Sequence, residues 1–289
     1  MITITKKWTL GKWIHDKETR HDLVFQIREV EASFPQLSPQ ELRNGLHRYA
    51  KAGRINAVHR GVYVIVPAKY ESRGGLPPAF YMDSLMRTLG RPYYFGLLSA
   101  ARIWGASHQM PMIDTVVTIR PDMSASRRKN PLVAWRYRES IPESFVIERK
   151  GEYDRVRYSN PALTSLDLVR FENAAGGLSR VASVLYEFAD GIDFAEASSS
   201  GLLEAASIPV AQRLGFILDE VLGFREPADS LFCQLKMFSH GRLKCVPLDR
   251  NCPAREAMRN RKWNVSVNCE IEMDEIQRPL WKEEDTRPL

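Results

Sequence analysis

Within the twelve residues from Gln40 to Lys51, Gln40, Asn44, His47 and Lys51 follow one another at spacings of four, three and four. At about 100° per residue all four fall on one face of a helix, with Arg43 and Arg48 on its flanks. Those residue types carry a particular chemistry. An amide pairs with the edge of adenine, a guanidinium with that of guanine, and an ammonium grips phosphate. Leu42, Leu46 and Tyr49 fall opposite and predict the face that is buried. Ser38 is an N-cap, Pro39 suits the first helical position, Glu41 completes a capping box and Gly53 supplies a left-handed stop. Gly45 costs about 1 kcal/mol relative to alanine inside a helix, which predicts close approach to the preceding helix.

Two β-prone runs follow, flanking His59-Arg60-Gly61. A hairpin there would hold a cation at its tip, beside the helix, against a sugar-phosphate backbone. The candidate DNA-contacting set is therefore Ser38, Gln40, Arg43, Asn44, His47, Arg48, Lys51, Arg54, His59 and Arg60. Upstream, Thr19 to Ala32 reads as a helix with Leu23, Ile27 and Val30 on one face. Ala32–Leu37 is too short for a further helix, so a three-helix unit needs either a compressed helix or one drawn from residues before Asp16.

Charge placement agrees with this reading. The chain has 289 residues and a net charge of +6. Residues 1–73 hold 13 Lys/Arg against 7 Asp/Glu, whereas the remainder holds 28 of each, so the whole excess lies in the first quarter. A basic module joined to a neutral body is the electrostatic outline of a domain that docks on phosphates.

Other reactive residues read as structural. Glu143 with Glu148-Arg149-Lys150 can be set against the acid…E-x-K pattern of Mg²⁺ nucleases, but the carboxylates are five residues apart on what reads as an exposed strand. Ser99 and Ser107-His108 lack a G-x-S-x-G elbow, and Gly176-Gly177 is not followed by Lys-Ser/Thr. The Arg127-Arg128-Lys129-Asn130 cluster reads as a solvated loop, or as an extension of the DNA footprint. Cys233, Cys245, Cys252 and Cys269 contain no C-x-x-C; a mixed site with His240 is the metal alternative, and small buried hydrophobes the simpler reading. No catalytic residue, metal or cofactor is expected. No apolar run reaches the roughly 18–20 residues of a membrane span, and Met1–Lys7 precedes no apolar leader, so a cytoplasmic protein is expected.

Two glycines and two prolines within Ser72–Pro78 mark a linker. It separates an N-terminal domain, residues 1–75, from a body, residues 76–289. In the body, Tyr81–Leu89 and Leu97–Trp104 read as helices, and Thr115–Ile119, Leu132–Tyr137, Phe145–Ile147 and Arg155–Tyr158 as strands. Helices are expected again at Ala162–Glu172, Leu178–Ala189, Leu202–Ala206 and Val210–Leu222, then a strand over Trp263–Ile271. The fold class is α+β: a winged helix-turn-helix followed by a larger mixed α/β body.

The segment from Leu46 to Tyr63, with Lys51-Ala52-Gly53-Arg54-Ile55 and Arg60-Gly61-Val62-Tyr63, resembles the end of the winged-helix module in AbiEi-type antitoxins. Tyr93-Tyr94-Phe95-Gly96-Leu97-Leu98-Ser99-Ala100-Ala101, running on to Ser107-His108-Gln109, is similar to the opening of that family's second domain. Ser159–Leu168, Ala211–Leu218 and Trp263–Asn268 match in order. Where the family commonly carries an arginine before the threonine, this chain reads Ala162-Leu163-Thr164-Ser165. The resemblance implies the antitoxin of a type IV toxin–antitoxin, abortive-infection system. Such a protein binds inverted repeats in double-stranded operator DNA at its own promoter, and counters a nucleotidyltransferase-like toxin without needing a stable complex. The alternatives are a regulator whose body senses a ligand or protein partner, and the metal-dependent nuclease.

Overall fold

The computed structural model describes residues 9–73, 76–106, 111–123, 132–253 and 257–273, and for 71–73 the backbone alone. His108, the Arg127-Arg128-Lys129-Asn130 cluster, and both termini lie outside the described residues. Contacts divide the chain into two units. The first comprises residues 1–93, 118–137 and 148–157; the second comprises 94–117, 138–147 and 158–289. Charge divides with them. The first unit's sequence holds 24 Lys/Arg and 12 Asp/Glu, the second's 17 and 23, giving +12 and −6.

The first unit opens with helix α1 (Leu10–Thr19), strand β1 (Val24–Gln26), and helices α2 (Ile27–Ser33) and α3 (Pro39–Lys51). Strands β2 (Ile55–His59) and β3 (Val62–Ile65) follow, and the three strands pair antiparallel in the order β1-β3-β2. The helix expected over Thr19–Ala32 forms only from Ile27 onward, as α2. His21 adopts φ 60°, the chain turns, and Val24-Phe25-Gln26 pairs with β3 instead. The helical reading leaves Val24 and Phe25 off its apolar face. Strand pairing buries both, with Phe25 stacked on Tyr63 at 5.4 Å. The extra helix comes from α1, mostly before Asp16: Trp13 and Ile14 are buried, and the Trp13 indole meets Phe25 edge-on and donates to Ser33 at 3.1 Å.

Further along this unit come helix α4 (Met82–Thr88) and the bend at Glu152 and Tyr153. Lys69 pairs with Glu152 at 2.7 Å, and the Tyr153 ring lies 5.2 Å from both His21 and Phe80. A five-stranded sheet has the order β6-β5-β4-β8-β7, formed by β4 (Tyr93–Phe95), β5 (Asp114–Ile119), β6 (Val133–Arg138), β7 (Val146–Lys150) and β8 (Arg155–Ser159). Strands β4 and β8 run parallel.

The second unit is built on helix α5 (Leu98–Ala101) and the helices Pro161–Arg170, Leu178–Tyr186, Leu202–Ala206 and Ile208–Phe216, the last continued by a π turn over Ile217–Val221. A further helix, Arg225–Ser239, has no counterpart among the expected elements, although Ala228, Leu231 and Leu235 bury at helical spacing. The strand expected over Trp263–Ile271 is confined to Val265–Val267. Asn264 at φ 54° turns the chain before it, and the Asn268 amide leaves to bond the carbonyls of Asp249 and Cys252 after it. The cysteines are not buried hydrophobes. Cys233 and Cys245 are exposed and Cys252 and Cys269 half-buried, all as free thiols. Cys233 faces away from the side of its helix that Leu231 and Leu235 seat in the core. No helix among the described residues is long and apolar enough to cross a membrane.

Candidate nucleic-acid interface

Helix α3 is delimited as its end residues dictate. The Ser38 hydroxyl accepts the Glu41 amide at 3.3 Å, and the Glu41 carboxylate takes the Ser38 N–H at 2.8 Å and its O–H at 2.7 Å. These bonds from Ser38, the side-chain one foremost, hold the Glu41 carboxyl below its ordinary value of 4.5. A depressed carboxyl stabilises the fold above its unfolded pKa and loses that contribution as pH falls through the folded one. The Ser38 amide resonance should therefore titrate with a midpoint below that of an ordinary glutamate. A midpoint at or above the ordinary one would mean that the box is open in solution.

Leu42 and Leu46 are buried, and Tyr49 half-buried, as the spacing requires. Gly45 does mark a close approach, but to α1 rather than to the immediately preceding α2: a Cβ there would sit 3.1 Å from Leu10. On the other face Gln40, Arg43, Asn44, His47, Arg48 and Lys51 are all exposed, over about 16 Å of helix at 1.5 Å per residue. The Gln40 amide donates to the Asn44 carbonyl at 3.1 Å, so the two amides sit side by side.

The hairpin β2–β3 closes at Arg60-Gly61, where Gly61 takes φ 70°. Arg60 is exposed at the tip, whereas His59 and Arg54 are half-buried. Arg54 turns back to Glu18 of α1 at 3.2 Å. Other carboxylates of this region are also held away from the stripe, Asp16 by Arg20, and Asp22 and Glu29 by Lys17. Among the described residues, Arg43, Arg48, Lys51 and Arg60 enter no ion pair. A surface that pairs most of its acids and leaves these cations bare carries a positive potential.

The body's motif stretches converge on buried polar groups instead. Arg138, in β6, donates to Asp167 at 2.6 and 3.0 Å and to the Ala205 carbonyl at 2.8 Å, and the Tyr94 hydroxyl donates to the other Asp167 oxygen at 2.7 Å. Both side chains of the ion pair are at most 1% exposed. Burial pushes the Tyr94 phenol well up, with the Asp167 charge acting in the same direction. For Arg138, burial works against the charge, but Asp167 and Tyr94 more than offset it and raise its pKa. Nearby, Arg213 pairs with Glu172 at 2.9 Å, and the Gln212 amide donates to the carbonyls of Lys244 and Trp263. Gly215 lies directly beneath the Trp263 ring. Tyr94, Asp167, Gln212, Gly215 and Trp263 all belong to the stretches that carry the family resemblance, so those residues hold the interior together.

Two further residues with reactive side chains are each held by a neighbour. Ser99 is buried and accepts the Thr115 amide at 2.9 Å. Glu148 is exposed and paired with Arg155 at 3.1 Å. Among the described residues, no group of three or more His, Cys, Asp or Glu side chains could hold a metal ion.

No curated protein matches the chain. Among solved structures, the crystal structure of the RV2827C protein from Mycobacterium tuberculosis is similar, with a TM-score of 0.62 over 88% of this chain and 89% of that one. At 10% identity this likeness shows the fold alone. The family model of the AbiEi antitoxin C-terminal domain matches residues 94–220. Those residues, which include Tyr94, Asp167, Gln212 and Gly215, are thus similar to the C-terminal domain of AbiEi antitoxins.

Proposed function

We propose that the protein is the antitoxin of a type IV toxin–antitoxin system and represses its own operon. In this reading residues 1–75 are a winged helix-turn-helix and 76–289 the antitoxin body. Helix α3 lies in the major groove of double-stranded operator DNA, Arg43 and Asn44 meet base edges, and Lys51 and the hairpin's Arg60 grip phosphate. The observation that supports it most is the exposed, unpaired run of cations on α3 and at the hairpin tip. The family match supports a counteracted toxin, for which we take a nucleotidyltransferase-like protein that need not form a stable complex. No catalytic role or cofactor is assigned to the chain, and its place is the cytoplasm.

The test is a binding titration of the full chain on its own upstream DNA over a salt series. Lys51→Ala and Arg60→Ala should weaken binding on every duplex and lower the salt slope by about 1 each. Arg43→Ala and Asn44→Ala should cost about 1–3 kcal/mol on the operator and relax sequence preference. Four variants indistinguishable from the parent would end this reading. Coexpression with the neighbouring gene product, read as growth, tests the antitoxin half separately. A ligand-sensing regulator is the second reading, favoured by one feature of the second unit. An open cleft of about 670 Å³ is lined by Asp190, Asp193, Phe224 and Glu226, among others. Ligand-dependent release of DNA would select that reading.

A further inference from the structure

Helix α2 begins where the hairpin tip ends. The Ile27 N–H donates to the Gly61 carbonyl at 2.9 Å, and a Cβ on Gly61 would touch the Ile27 side chain at 3.5 Å. One residue from each side of this joint stands a guanidinium, Arg28 after Ile27 and Arg60 before Gly61, and both residues are exposed. Among the described residues neither enters an ion pair. Of the acids on α2, Glu29 is taken by Lys17 at 3.0 Å and by the Gln26 amide at 2.8 Å, while Glu31 is exposed. The residues that carry the two cations are thus joined through a backbone hydrogen bond between their neighbours, and neither is left with a bound counter-charge. Two exposed, unneutralised cations on one edge attract a phosphate backbone.

We propose that Arg28 is a phosphate-gripping residue, acting with Arg60 across the Ile27–Gly61 joint on the backbone of one DNA strand. The inference rests on the DNA-binding reading above and adds to it a residue outside both α3 and the hairpin. Its contact is with the backbone, so it adds affinity without selectivity. The Ile27–Gly61 bond makes the hairpin tip and the start of α2 one rigid edge, so both arginines meet the strand together.

The experiment uses the full chain, its upstream duplex and a scrambled duplex of equal length, with Kd measured by fluorescence anisotropy over a salt series. Arg28→Ala should weaken binding to both duplexes by the same factor and lower the slope of log K against log salt by about 0.9. Arg28→Lys should keep the parent slope, and the Arg28→Ala/Arg60→Ala pair should lower it by about 1.8. Because both positions are exposed, thermal midpoints should match the parent, which separates lost contact from lost fold. If Arg28→Ala keeps the parent's affinity and slope while Lys51→Ala and Arg60→Ala lose both, this inference is wrong and the DNA reading stands. If Arg28→Ala alters preference between the duplexes, its contact is with bases and the inference is also wrong. A parent protein that binds neither duplex in a salt-dependent way removes both readings together.

Discussion

Replacing Arg138 with methionine should cost the protein about 3–5 kcal/mol, the penalty for stranding one member of a buried ion pair. Asp167 is fully buried and would keep the Tyr94 hydroxyl but lose both guanidinium contacts. For a protein of this size such a loss lowers the thermal midpoint by roughly 5–8 °C. The apolar pair Arg138→Met/Asp167→Leu should recover part of the loss, since no charge is left buried alone. Denaturant melts of the parent and the two variants decide the matter. An Arg138→Met protein as stable as its parent at pH 7 would mean that water reaches Asp167.

Gly215→Ala should be the second most damaging of these changes, although helix propensity by itself favours alanine by about 1 kcal/mol. A Cβ at this position would overlap the Trp263 ring. That ring cannot easily give way. It is fully buried, its indole N–H donates to Asp219 at 2.9 Å, and Phe232 meets it edge-on at 5.1 Å. Overpacking of this kind costs about 1–3 kcal/mol, and more where the neighbour is locked. We expect a net loss of about 2 kcal/mol, with Gly215→Val worse. In a double-mutant cycle Trp263→Leu should remove most of the Gly215→Ala penalty, because the two share one space. A neutral or stabilising Gly215→Ala would show that the helix and the C-terminal strands are not in contact as described.

These two sites show why the body was only partly legible in the sequence. The stretches that carry the family resemblance were visible, but their roles were not. Asp167 and Tyr94 are 73 residues apart, and nothing in their spacing announces that Arg138 will complete their network. Gly215 sits in a good helical pattern and gives no sign that an indole from residue 263 occupies its missing side chain. The N-terminal region behaved differently. Ser38, Pro39 and Glu41 start α3 through contacts within four residues, and the alternation of faces follows from helix pitch. The helix expected across Thr19–Ala32 is cut back to α2 because a partner strand 36–40 residues away outweighs local periodicity.

Local rules were therefore enough to draw α3, its two faces and the Arg60 hairpin, since caps, turns and pitch act over a few residues. Tertiary contact decided the rest. It drew β1 out of an apparent helix and set Arg28 beside Arg60. It also gathered residues 118–137 and 148–157 with the basic N-terminal part, so that charge separates into +12 and −6. Those outcomes depend on which distant surfaces exclude water together. That is a property of the folded chain, and it has no counterpart in the spacing of residues along it.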